Sequence, residues 1–187
     1  MRRIQVAEGH ERHTTGERMQ IIAAGTLVLE PLTAAHAEAM FEVLSDPELY
    51  QFLDYPPPAS IEQLRRDYER LESRQSPDGG ERWLNWVVRR PGEPPLGYVQ
   101  ATVTGHDSAW IAYVLSSAHW GQGHAHAAMH AMLEHLGATY GVQRFLATVE
   151  VENHRSIRLL ERLAFHPGGA NEVDNHDLSA TELLFVR

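Results

Sequence analysis

Across Gly121-Gln122-Gly123 the apolar period of the chain switches from two residues to 3.6, and this switch restricts the fold more than any other feature. Three β-rich runs precede it: Trp83–Arg89, Leu96–Thr104 and Trp110–Leu115. The first two flank Pro91-Gly92-Glu93-Pro94-Pro95 and the third follows a polar break at Gly105–Ser108, which predicts an antiparallel meander. After the glycines, Ala125, Ala128, Met129, Met132, Leu133 and Leu136 share one helical stripe, which Gly137 and Gly141 are expected to end. Phe145–Val151 reads as a buried strand, Asn153 to about Leu163 as a helix with Ile157, Leu160 and Ala164 inward, and Leu183–Val186 as a last strand.

Upstream, Leu27, Val28 and Leu29 between Gly25 and Pro31 predict a first strand, so that folded structure is expected from about Thr26. Thr33 offers an N-cap to a helix carrying Ala37, Met40, Phe41 and Leu44, which Asp46-Pro47 stops. Ser60 with Gln63 forms a capping box for a second helix through Leu64, Tyr68 and Leu71. Meander, long helix, strand, helix and strand predict one α/β (α+β) domain over residues 21–187, with a mixed, mostly antiparallel central sheet flanked by helices. Residues 1–20 are polar and without sustained periodicity, and are expected to form a flexible extension.

Composition removes whole classes of chemistry. There is no cysteine, which excludes thiolate metal sites, disulfides and an acyl-cysteine intermediate. All 16 basic residues are arginine, which excludes Schiff-base lysines and a lysine-containing P-loop. A net charge of −9 argues against nucleic acid as a partner and for a cationic or amine-bearing one. Residues 1–20 hold no apolar h-region and no run approaches a membrane span, so no membrane partner is expected and the cytoplasm is the expected location.

The informative junction is Trp120-Gly121-Gln122-Gly123-His124-Ala125, between a strand and the periodic helix. Two glycines let backbone pass close to a ligand, and the helix start presents unpaired N–H groups with about half a positive charge, which makes an anion cradle. A dinucleotide fingerprint wants glycine at position 126, where His126 stands, and a parallel βαβ context that the meander does not supply.

With Tyr113-Val114-Leu115 before this loop and Asn153-His154-Arg155-Ser156-Ile157-Arg158-Leu159-Leu160-Glu161-Arg162-Leu163-Ala164-Phe165 after it, the chain resembles the GNAT superfamily of N-acetyltransferases from about Leu27 to Val186. It is most similar to the branch of ribosomal-protein N-terminal acetyltransferases, where a Trp-Gly-x-Gly-x-Ala loop and an Asn-x-x-Ser helix start are usual. The resemblance implies the GNAT fold, with a sheet splayed at the cofactor site, and acetyl-CoA as co-substrate without a metal. It implies that Trp120, Gly121, Gln122, Gly123, His124, Ala125 and His126 form the diphosphate loop, and that Val114 and Leu115 pair with the pantetheine arm. It also implies that Asn153 hydrogen-bonds the pantetheine and that Ser156 lies near the thioester sulfur. Leu160 stands where many relatives carry a general-acid tyrosine, passing that role to Ser156 or solvent. Ala164 replaces the usual glycine before Phe165, which argues against a left-handed conformation there.

Without cysteine, acetyl transfer is expected to run by direct amine attack in a ternary complex. An α-amine of pKa about 7.7–8.0 is neutral in roughly one molecule in six at pH 7, against about one in 2,500 for a lysine amine, so the former needs little help from a base. Glu150, Glu152 and Glu172 are candidates to accept the amine proton, and strand alternation lets at most one of the first two face the cleft. Acidic residues around the first helix, among them Glu38, Glu42, Asp46, Glu48 and Asp54, suit a protein N-terminus, a polyamine or an aminoglycoside-like acceptor. A non-catalytic acyl-CoA-binding sensor is the alternative, and the assembly is expected to be a monomer or homodimer. His126, His130 and Glu134 lie at i+4 steps, but a surface stripe of an amphipathic helix explains them without a metal. Trp83, Trp86 and Trp110 read as core or pocket wall.

Overall fold

The computed structural model describes residues 19–187 except positions 106 and 177, so the expected extension lies almost wholly outside the described residues. A short strand, β1 (Ile22–Ala24), precedes β2 (Leu27–Pro31) and pairs with it through a turn at Gly25, whose φ is +65°. Folded structure therefore starts before Thr26: Met19 packs against the core, and the Gln20 carbonyl accepts from Trp86 Nε1 at 3.1 Å. Three residues are too few to display a period, which is why this strand leaves no sequence signal.

A 3₁₀ turn, Ala34–His36, runs into α1 (Ala37–Leu44), with Thr33 N–H donating to His36 Nδ1 at 3.0 Å. A second 3₁₀ segment, Pro47–Phe52, is capped by Asp46. α2 (Ile61–Leu71) starts at Ser60, whose Oγ accepts from Gln63 N–H at 3.1 Å. The meander follows as β3 (Glu81–Arg89), β4 (Pro95–Thr104) and β5 (Ser108–Leu115), antiparallel throughout. Then come α3 (His124–Tyr140), β6 (Arg144–Glu150), α4 (His154–Arg162), β7 (His166–Pro167), α5 (Ala170–Asp174) and β8 (Glu182–Val186).

The eight strands make one sheet in the order β1-β2-β3-β4-β5-β6-β8-β7. All neighbours are antiparallel except β5 and β6, which run parallel and pair only from Ser108 to Trp110 against Arg144 to Leu146. Beyond Trp110 the two strands part, which is the splayed mixed sheet expected of the GNAT fold.

The two faces of the sheet carry separate cores. Trp86, Val99 and Ala101 pack with Met129, Met132 and Leu136 of α3 and Leu160 of α4. Val87 and Val114 pack with Met40, Leu64 and Tyr68 of α1 and α2. Met129, Met132 and Leu136 are fully buried, and each such side chain contributes about 1.5–3 kcal/mol of transfer free energy.

Two helix-end expectations need correction. Gly137 lies inside α3, and Gly141 alone caps it, at φ +69°. Leu160 is buried and Ile157 half-buried as expected, but Ala164 is exposed rather than inward, and Leu159 and Leu163 are buried in its stead. It also adopts the left-handed conformation, φ +62°, despite its methyl group. Phe165 N–H donates to Leu160 C=O and Ala164 N–H to Glu161 C=O, each at 3.0 Å, closing a Schellman motif over the buried Phe165 ring. Those bonds and that burial offset the roughly 1–2 kcal/mol steric cost of a left-handed alanine.

Candidate active site

Where β5 and β6 part, a cleft of about 650 Å³ opens. Its walls are β5 from Ile111 to Leu115, the loop before α3, β6 from Ala147 to Glu150, the first turns of α4 and the turn around residues 48–53. Every sequence-predicted site residue lines it except Gln122: Val114, Leu115, Trp120, Gly121, Gly123, His124, Ala125, His126, Glu150, Asn153 and Ser156 are brought together. Gln122 turns back, its Nε2 donating to Ala118 C=O at 3.2 Å.

At the loop end, Gly121 and Gly123 hold φ of +75° and +82°, and a Cβ built on either meets nothing within 4 Å. The glycines serve the backbone conformation there, leaving open space beside the first amides of α3, which have no intrahelical acceptor. The strand end is kept in place from its neighbour. Gly97 of β4, φ +153°, sits so close that a Cβ would lie 2.0 Å from Val114 O and 2.7 Å from Leu115 Cα. Trp120 Nε1 donates to Leu115 C=O at 2.8 Å, and the Arg155 guanidinium lies 3.7 Å over the indole ring, tying α4 to the loop. Asp46, expected only as part of an acidic surface, accepts from the N–H groups of Ser117 and Glu48 at 3.0 Å each, so its carboxyl is held below its usual range chiefly by Ser117.

Cationic groups also line the cleft. Arg155, Arg158 and Arg162 line the cleft from α4, and their i, i+3, i+7 spacing is the signal that places them on one face. His124 Nε2 lies 3.0 Å from Arg90 Nη2 and 3.2 Å from Gln122 Oε1, and its ring is 6.3 Å from that of His119. Burial, then Arg90 and His119, lower the His124 pKa, keeping the ring neutral.

At the other end, Asn153 caps α4: its Oδ1 accepts from Ser156 N–H at 3.1 Å. Ser156 Oγ accepts from the Tyr113 hydroxyl at 2.8 Å. Burial raises the Tyr113 pKa, so the phenol keeps its proton and acts as donor. In the sequence Tyr113 is legible only as strand backbone, because the pairing spans 43 residues and no local spacing reveals it.

Of the three carboxylates, Glu150 alone lines the cleft. Glu152 is exposed past the strand end. Glu172 accepts from Gly169 N–H at 2.8 Å and from Arg144 Nη2 at 2.6 Å, which holds its pKa down. Arg144 begins the strand that Glu150 ends, roughly 20 Å apart at 3.3 Å per residue, so Glu172 caps α5 at the far edge. His130 pairs with Glu134 at 3.4 Å and stacks near His126, and no group of three possible metal ligands exists among the described residues. No described helix is long and apolar enough to cross a membrane.

The solved structure of RimL, a ribosomal L7/L12 α-N-protein acetyltransferase in complex with coenzyme A, superposes with a TM-score of 0.74 at 21% identity, over 90% of this chain and 97% of that one. The microcin C7 self-immunity acetyltransferase MccE, in complex with acetyl-CoA and AMP, gives 0.70 at 15% identity over 87% and 92%. At these identities the likeness establishes the fold. In sequence, the uncharacterised N-acetyltransferase p20 of Bacillus licheniformis is 26% identical over 153 residues, 81% of this chain and 85% of that protein. The acetyltransferase (GNAT) domain model matches residues 26–166, and the chain is accordingly a member of the GNAT acetyltransferase family.

Proposed function

We propose that the protein transfers the acetyl group of acetyl-CoA to a primary amine by direct attack in a ternary complex. The observation that carries this reading is the cleft between β5 and β6, with the open amides of α3 at one end and the Tyr113–Ser156 pair at the other. Coenzyme A and acetyl-CoA in the RimL and MccE structures support the choice of co-substrate.

The amides of Gly121, Gly123, His124, Ala125 and His126 hold the diphosphate, and Arg90, Arg155 and Arg158 supply positive charge beside it. Val114 and Leu115 form the strand end along which the pantetheine lies; Val114 turns its backbone to Tyr98 and Gly97 of β4, so Leu115 N–H, beside the carbonyl that accepts from Trp120, is the open backbone donor. Asn153 Oδ1 is likewise taken by Ser156 N–H, which leaves its amide NH₂ as the donor to the pantetheine.

The acceptor nitrogen attacks the thioester carbonyl carbon, forming C–N as C–S breaks. Glu150 takes the amine proton, through water, and releases it to solvent. Ser156 gives its hydroxyl proton to the departing sulfur, and Tyr113 replaces it from 2.8 Å before regaining one from solvent.

The test is release of free thiol from acetyl-CoA over an amine panel of peptide N-termini, polyamines and amino sugars, with the product identified by mass. The expected result is amine-dependent thiol release and an N-acetyl product. Cofactor binding without release for any amine overturns the transferase reading and favours a sensor.

His124 adds a pH dependence to cofactor binding. Its pKa is lowered in the free protein by burial, Arg90 and His119. An anionic diphosphate nearby raises it, so binding takes up a proton and tightens as pH falls through the bound-state value. Calorimetric titrations near pH 6.5 in two buffers of different ionisation enthalpy are expected to show this uptake, and His124→Gln to diminish it; equal uptake in both proteins excludes His124 as the source.

A further inference from the structure

A second recess, of about 450 Å³, lies on the sheet face covered by α1 and α2. Asn85 and Tyr68 project into it from β3 and α2; Tyr98 and Gln100 line it from β4, and Tyr50 and Tyr55 from the chain between α1 and α2. Two of its polar groups are buried without a hydrogen-bond partner among the described residues: Asn85 Nδ2, on a side chain 1% exposed, and the Tyr68 hydroxyl, 5% exposed. Leaving such groups unsatisfied costs about 1–3 kcal/mol each. Asn85 is the one buried polar side chain among the described residues, whereas Val87, two residues on and facing the same core, is apolar.

The recess adjoins the reaction cleft. Tyr98 is the direct cross-strand partner of Val114, and Gln100 of Ala112, which places them on one face about 5 Å apart. Ala112 and Val114 line the cleft. The chain between α1 and α2 is the shared wall: Leu49, Phe52 and Leu53 face the cleft, while Tyr50 and Tyr55 face the recess.

Its chemistry is that of an uncharged ligand. Among the described residues, the charged lining residues are Asp67 and Arg70, which are paired with each other. Burial raises the Tyr68 and Tyr98 pKa values, so both phenols stay neutral, and Tyr98 OH shares a 3.0 Å hydrogen bond with Tyr55 OH. Apolar walls from Leu32, Leu44 and Leu64 complete a site that offers donors and no net charge.

We propose that this recess is the acceptor-recognition site, in which Asn85 Nδ2 and Tyr68 OH hydrogen-bond an uncharged amide or hydroxyl group of the incoming amine and so select such acceptors over polyamines. The proposal rests on the transferase reading and narrows its substrate class. A site built around buried hydrogen-bonding groups rejects analogues that leave those groups unpaired far more strongly than an apolar pocket rejects a misfit.

The experiment compares four acceptors: alanyl-asparaginamide, alanyl-leucinamide, glucosamine and spermidine. The expected result is a kcat/KM for alanyl-asparaginamide or glucosamine at least about tenfold above those for alanyl-leucinamide and spermidine, with the better of the two polar amines telling a peptide amide from a sugar hydroxyl. Asn85→Leu and Tyr68→Phe, which keep volume and remove the polar atom, are expected to erase that preference through acceptor KM while leaving acetyl-CoA affinity unchanged. In parallel, the Asn85 side-chain NH₂ resonance, assigned by its loss in Asn85→Leu, is expected to shift when alanyl-asparaginamide is added with CoA present. Turnover without preference and without that shift overturns the recess as recognition site and leaves the transferase reading intact. A shift without turnover of any amine keeps the recess as a binding site and overturns the transferase reading. Absence of both overturns the two together.

Discussion

Gly123→Asp is expected to abolish detectable acetyl-CoA binding in a calorimetric titration while leaving the fold intact. Residue 123 is the N-cap of α3 at φ +82°, and a Cβ there meets open space. Aspartate tolerates the left-handed region better than most residues and is itself a favoured N-cap, so stability changes by about 1 kcal/mol at most. What changes is the charge at the helix start. A carboxylate about 4 Å from a phosphate costs about 4 kcal/mol per charge pair at an effective dielectric of 20, a loss of roughly a thousandfold in affinity. Gly123→Ala is the control, expected to lose no more than about tenfold, since it adds backbone strain without charge. An ordinary dissociation constant for the aspartate variant removes the loop as the diphosphate cradle.

Ser156→Ala is expected to lower kcat by about a hundredfold with little change in acetyl-CoA affinity, in the range that a positioned proton donor supplies. The residue sits at the third position of the first turn of α4, and its N–H remains capped by Asn153 after the hydroxyl is removed, so the helix start survives. Tyr113→Phe removes the donor to Ser156 and keeps the ring, with an expected loss of about tenfold, one hydrogen bond's worth. If the phenol acts through the serine, the double variant is no slower than Ser156→Ala alone. Additive losses assign Tyr113 an independent role, and unchanged turnover in Ser156→Ala removes the serine as acid.

Most of the fold was legible because its elements carry their own periods. The stripe from Ala125 to Leu136, the alternating runs of the meander and the Ser60–Gln63 start of α2 each announce themselves within a dozen residues. What escaped is short or held from a distance. β1 has three residues, the β7 edge has two, and Ala164 is left-handed because of two bonds at the end of α4 that its own identity does not predict. The same division holds for the candidate site. The glycines and Asn153 were readable as a local pattern, whereas Tyr113 against Ser156 and Arg90 against His124 join residues 43 and 34 apart. Asn85 carries no such local signal, because an asparagine inside a β-run reads as a break in alternation until its burial is known.

The stacking of Arg155 on Trp120 gives the protein an optical gauge of its own. If the diphosphate seats beside that guanidinium as proposed, it competes with the ring for the cation, and an indole relieved of an overlying cation is expected to emit differently. Occupancy of the groove is then expected to show in intrinsic fluorescence, with no dye or tag attached.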